Sequence, residues 1–157
     1  MRHNVGVILS DILAPGSVIL PLEAADSKAA ISILVEALEL PGSDIDRQDL
    51  MTAVLTRETA GSTGLGNGIA IPHARSPRLT VPRLAVGLTS QPINFNAADG
   101  KPVSLLFLLA VPAENPTSHL RALAALSRLA CDKKLLRSLN KASTPDAFFQ
   151  LVARLPV

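Results

Sequence analysis

The chain has 157 residues, the size of one ordinary domain, and 48% of them are hydrophobic against 18% charged, so a sizeable core is available and disorder is disfavoured. Fifteen Lys and Arg against thirteen Asp and Glu leave a formal charge of +2 with no long basic run. Aromatics stand at 3%, with neither Trp nor Tyr, so a nucleic-acid partner has neither a charge track nor stacking platforms. The one cysteine, Cys131, excludes an internal disulfide and is expected as a small buried thiol in a Leu/Ala-rich helix.

Val5 to Leu9 is too short an apolar run for a signal peptide. The longest run, Val103 to Val111 with Ser104 inside it, is about half of a membrane-spanning helix. No membrane insertion and a cytoplasmic location are the expectation.

Val18-Ile19-Leu20 and Leu22 read as a short strand after a Pro15-Gly16 turn. Asp26-Ser27 offers an N-cap, and Ala30, Ile31, Leu34, Ala37 and Leu38 recur at helical spacing up to a Pro41-Gly42 stop. A second helix begins at Asp46, buries Leu50, Met51, Val54 and Leu55, and closes at Arg57. Residues 61–68, with four glycines in eight positions, are expected to form no regular element. Ile69-Ala70-Ile71 resumes an extended path that Pro72 reinforces.

Leu84 to Thr89 and Val103 to Val111 read as strands, the second buried on both faces because its apolar run is continuous, with a turn at Asp99-Gly100 between them. Asn115-Pro116 starts a helix through Leu120, Leu123, Ala124, Ser127 and Ala130. A weaker one follows around Leu135 to Leu139, and Thr144-Pro145 opens the last, with Phe148, Phe149 and Val152. The pattern is α/β: a single-domain sandwich over 1–157, with helices packed on a sheet.

The chemistry concentrates between Arg57 and His73. A glycine-rich loop lets backbone N–H groups (Gly64, Gly66 and Asn67 among them) approach an anion, Ser62 and Thr63 add hydroxyls, and Arg57 adds a guanidinium able to grip phosphate through two nitrogens. The Gly-Lys-[Ser/Thr] ending of a nucleotide-binding loop is missing, which disfavours ATP hydrolysis. A neutral imidazole at His73 has one free lone pair and can attack phosphorus reversibly. Taken singly, a lone histidine is more often structural, a glycine loop is often only a turn, and Arg57 is also well placed as a cation at a helix C-terminus. Together they favour a phosphate site.

The stretch from Arg57 to Arg75, with Pro72-His73 at its centre, resembles the signature of phosphotransferase-system enzyme IIA domains of the fructose/mannitol/nitrogen class. The likeness extends through Ala85-Val86-Gly87, Pro92-Ile93-Asn94-Phe95, Asp99 with Pro102-Val103, and Leu106-Phe107 to Val111-Pro112 and His119-Leu120. It is strongest to the nitrogen-type branch, although Ala74-Arg75 is also found in sugar-type members. The resemblance implies a mixed sheet flanked by helices and phosphorylation of His73 on Nε2 by a small HPr-like phosphocarrier. It implies Arg57 as the neutralising cation and Thr63 with the loop amides as orienting groups. His119 is implied as a second active-site histidine; from the residues alone, its place in a first helical turn suits a solvated or capping role. His3 is expected to be idle. Neither a metal site nor a cofactor is expected.

Three functions follow as alternatives. The first is a regulatory phosphocarrier without independent turnover whose targets, a potassium transporter or a sensor kinase on the resemblance, sense the phosphorylation state. The second is a sugar-specific IIA serving a fructose or mannitol IIB. The third is a non-catalytic anion- or protein-binding module.

Overall fold

The computed structural model describes residues 7–40 and 45–157; His3 and the Pro41-Gly42 stop lie outside the described residues. After a 3-10 turn at Leu9–Asp11 come β1 (Leu13–Leu22), α1 (Ser27–Ala37), α2 (Arg47–Ala60), β2 (Gly64–Gly66), β3 (Ile69–Ala70), β4 (His73–Ser76), β5 (Arg83–Ile93) and β6 (Val103–Pro112). The chain ends in α3 (Pro116–Ala130), α4 (Lys133–Lys141) and α5 (Pro145–Val152). Asp26, Asp46, Asn115 and Thr144 each accept a backbone N–H at the start of a helix, as the sequence signals require, and Asp132 does the same for α4.

The strands form one mixed sheet ordered β1-β5-β6-β3-β2, with β4 also paired to β6. The continuous apolar run of β6 is central and splits by parity. Leu105, Phe107, Leu109 and Val111 join a core with Leu126, Leu139 and Phe148 on the side of α3, α4 and α5. Leu106, Leu108 and Ala110 join one with Ile31, Leu34 and Val54 on the side of α1 and α2. Both faces are therefore covered, as a strand without polar alternation demands.

Against β6, β3 and β4 run parallel in one register: Ile69 opposes Leu105, Ala70 opposes Leu106, and His73 to Ser76 oppose Leu109 to Pro112. The two strands are one line interrupted at Ile71-Pro72. Pro72 has no N–H to give, but its carbonyl still accepts Leu109 N–H at 2.9 Å, while Ile71 N–H turns to Thr63 O at 3.1 Å.

Three expectations are corrected. Pro15-Gly16 lies inside β1, where the register to β5 shifts between Leu13 and Val18, so the pair makes a bulge rather than a turn. The glycine stretch contains β2, paired antiparallel with β3. Asn67 (φ 56°) and Gly68 (φ 78°) supply the two positive-φ residues of a tight hairpin, and only two connecting residues are needed. The helix expected from Asn115-Pro116 forms as α3, with His119, Ala122, Ala125, Leu126, Leu129 and Ala130 on its buried face and Leu120 68% exposed. Cys131 ends that helix and is exposed.

Gly64 packs where no side chain fits: a Cβ there would lie 2.7 Å from Ala97 Cβ and 2.9 Å from Ala97 Cα. Gly64→Ala is therefore expected to destabilise the protein by roughly 1–3 kcal/mol. Urea denaturation of the variant beside the parent measures this, and an unchanged midpoint would disprove the packing role.

Candidate functional site

His73 opens β4 with its ring half-buried. Its Nδ1 lies 2.9 Å from Ile71 O. A carbonyl can only accept, so Nδ1 carries the hydrogen and the neutral ring keeps its lone pair on Nε2. Strand alternation sends Ala74 to the α2 side, into the core with Leu50 and Val54, and puts His73 and Arg75 on the opposite face.

On that face stands His119, in the first turn of α3 and only 8% exposed. Its ring meets that of His73 edge to face, with centroids 5.5 Å apart. Arg75 Nε donates to His119 Nδ1 at 3.2 Å. Burial, with His73 and the Arg75 charge adding to it, lowers the pKa of His119 below its usual value, so the ring is neutral near pH 7.

An open cavity of about 480 Å³ is lined by Ala53, Thr56, Arg57, Ala60, His73, Ala74, Arg75 and His119. Arg57 enters it from the last turn of α2, where Nη1 also donates to Gly61 O at 2.7 Å and so helps close the helix. Two guanidiniums and two imidazoles thus share one solvent-facing space. That arrangement can hold an anion against a nitrogen nucleophile. Among the described residues no group of three His, Cys, Asp or Glu side chains could hold a metal ion.

Of the residues singled out in the sequence, Arg57, His73 and His119 come together here, whereas Ser62, Thr63, Gly64, Gly66 and Asn67 do not line the cavity. The polar groups of the loop have other partners. The Ser62 hydroxyl donates to Phe95 O and accepts Gly64 N–H at 3.0 Å. The buried Thr63 hydroxyl donates to the Glu58 carboxylate, which also accepts Thr63 N–H at 3.3 Å. Asn67 N–H donates to Asp99 at 3.1 Å. The Lys101 N–H, joined by that of Asn67, holds the Asp99 carboxyl below the usual carboxylate range, so the loop already faces an anion of the protein's own. The phosphate-binding expectation for these five residues is not what the geometry favours.

Arg75 was not singled out as a site residue in the sequence. Its signal was the two-residue spacing from His73, which on a strand means the same face.

The family model for "Phosphoenolpyruvate-dependent sugar phosphotransferase system, EIIA 2" matches residues 11–154. The chain is 34% identical over 155 residues to a nitrogen regulatory protein of Klebsiella oxytoca, covering 97% of this chain and 94% of that protein. It is 31% identical over 144 residues to the fructose-specific EIIABC component of the phosphotransferase system of Bacillus subtilis, which covers 92% of this chain but only 23% of that longer protein. The crystal structure of nitrogen regulatory protein IIA-Ntr from Neisseria meningitidis superposes with a TM-score of 0.82 at 32% identity, covering 92% of this chain and 99% of the other. No helix among the described residues is long and apolar enough to cross a membrane.

The low pKa of His119 has a consequence for stability. Unfolding returns the ring to its ordinary value of 6.5, so below that pH the unfolded chain binds the extra proton first. The contribution is full above pH 6.5 and falls away as the pH drops toward the lower folded value. Urea titrations at pH 7.5 and 5 are expected to show a smaller loss of stability in His119→Gln than in the parent; equal losses would contradict the assignment.

Proposed function

The chain belongs to the phosphotransferase-system EIIA 2 family, and from that membership we propose that it is a regulatory phosphocarrier of the nitrogen type, a single domain over 1–157 that takes a phosphoryl group on His73 Nε2. The observation that carries the reading is the orientation of His73: Nδ1–H held on Ile71 O leaves Nε2 as the nucleophile, in a cavity with two guanidiniums.

The chemistry asks for little more. Nε2 supplies the electron pair of the new bond to phosphorus, and the donor's bond to phosphorus breaks with its pair leaving on the donor, here an HPr-like phosphocarrier. Positioning and charge do the rest. Arg57 meets the transferred oxygens, and His119, neutral and beside the acceptor ring, can donate to them. The protein is a component of phosphotransfer without turnover of its own, and a soluble cytoplasmic setting suits it. Transfer adds a charge on the order of −2. A target that touches the cavity rim then meets a cationic surface in one state and an anionic one in the other.

A second reading keeps the chemistry and changes the acceptor to a sugar IIB domain. The fructose-specific relative from Bacillus subtilis favours it, but the free-standing nitrogen regulatory relative is matched along nearly its whole length.

Incubation with phosphoenolpyruvate, enzyme I and phosphocarrier is expected to add one acid-labile phosphoryl group, seen by mass spectrometry and absent in His73→Ala. Arg57→Ala should be phosphorylated roughly 10- to 100-fold more slowly with its fold retained, the loss of one charge-assisted hydrogen bond. A wild-type rate in that variant would remove Arg57 from the mechanism. Pull-downs with both forms test the switch, which equal affinity for every partner would end.

A further inference from the structure

Among the groups lining the cavity, Arg75 makes the contact that the phosphocarrier chemistry above leaves unused. A guanidinium stays protonated in proteins and has no acceptor, so a nitrogen facing Arg75 Nε across 3.2 Å must be the one with the lone pair. That nitrogen is His119 Nδ1. The hydrogen of the neutral His119 ring is therefore on Nε2. At His73 the assignment is reversed, because Ile71 O forces the hydrogen onto Nδ1. The two rings, edge to face at 5.5 Å, thus have complementary free nitrogens: a lone pair on one and an N–H donor on the other.

We propose that Arg75 is a positioning residue for phosphoryl transfer, acting through His119 by keeping its hydrogen on Nε2, where it can bond to an oxygen of the phosphoryl group arriving at His73. The inference rests on the phosphocarrier reading. It assigns Arg75 a different task from Arg57. Arg57 stands on a helix end and its part is charge; Arg75 lies two residues along the same strand as the acceptor, so its guanidinium is set by the backbone that sets His73. In the transfer the hydrogen stays on His119 and only forms a hydrogen bond. The new nitrogen–phosphorus bond takes its electrons from His73, and the departing pair remains with the donor.

The contact has a further effect. With Nδ1 already accepting from a cation, His119 cannot take a proton there without losing the bond, so the ring is held as a neutral donor. A neutral N–H placed beside developing negative charge needs no reorganisation when the charge arrives.

The test combines Arg75→Met, which keeps the stem and removes the donor, with His119→Ala and the double variant. Nitrogen NMR of the unphosphorylated protein at pH 8 should show the His119 Nδ1 signal moving in Arg75→Met toward that of an imidazole nitrogen without a hydrogen bond. His73 should still show Nδ1–H. The rate of phosphorylation should fall about tenfold in Arg75→Met. In the His119→Ala background the same change should cost no more than about twofold. A merely structural Arg75 would lower the rate by the same factor whether or not His119 is present. An unmoved signal, an unchanged rate, or an equal loss with His119 absent would each overturn the inference. Failure of the phosphocarrier reading is distinct, because the parent itself would then take up no phosphoryl group.

Discussion

The constraint on which the site depends is the pairing of the His73 line with β6. From Ile69 to Ser76 the chain keeps one register against Leu105 to Pro112, although Pro72 removes a donor in the middle. A slip of one residue would exchange the faces: Ala74 would lose its place above α2, and both His73 and Arg75 would turn toward an aliphatic core. The alternation of the line itself forbids that slip: Ala70 and Ala74 belong to the core beside α1 and α2, and the charged Arg75 cannot take their place. The carbonyl that orients the His73 ring belongs to Ile71, at the interruption. The proline that breaks the line leaves Ile71 free to give its N–H to Thr63 and its carbonyl to the imidazole.

Charge explains why the remaining groups are arranged around that ring. Two guanidiniums and two histidines in one cavity would repel a further proton, and His119, the more buried ring, is the one driven to stay neutral. On the proposed reading, an arriving dianion reverses the balance. A unit pair at 4 Å is worth about 4 kcal/mol at the effective dielectric of a protein surface, and less where, as for Arg57 and Arg75, the cations face solvent. The hold is thus moderate, and the cavity is open. A phosphoryl group bound tightly in a closed pocket could not be passed on.

Much of this was legible in the sequence. Helix starts at Asp26, Asp46, Asn115 and Thr144 follow from capping chemistry that acts within three residues, and the run from Val103 announced a strand buried on both faces. What was not legible depends on distant parts of the chain. Pro15-Gly16 reads locally as a turn and is a bulge only because β5 pairs on both sides of it. His119 reads as a solvated first-turn residue until the sheet sets Arg75 and His73 beside it, 44 positions away for the Arg75 hydrogen bond. Cys131 sits among Leu and Ala yet ends its helix on the exposed side, a matter of phase that composition does not carry.

The glycine stretch shows how a motif can be informative for a reason other than its contacts. Its composition suggested a nest of amides around a phosphate, and each part has a structural occupation. Gly64 is small because Ala97 crosses it, Gly66 and Gly68 have positive φ at the hairpin, and Asn67 gives its N–H to Asp99. The hairpin positions Thr63, whose carbonyl receives Ile71 N–H, one residue before the proline and two before the histidine. The glycines therefore reach the chemistry through geometry. They permit the tight return that sets the His73 line against β6, and the groups that line the cavity come from α2, β4 and α3 instead.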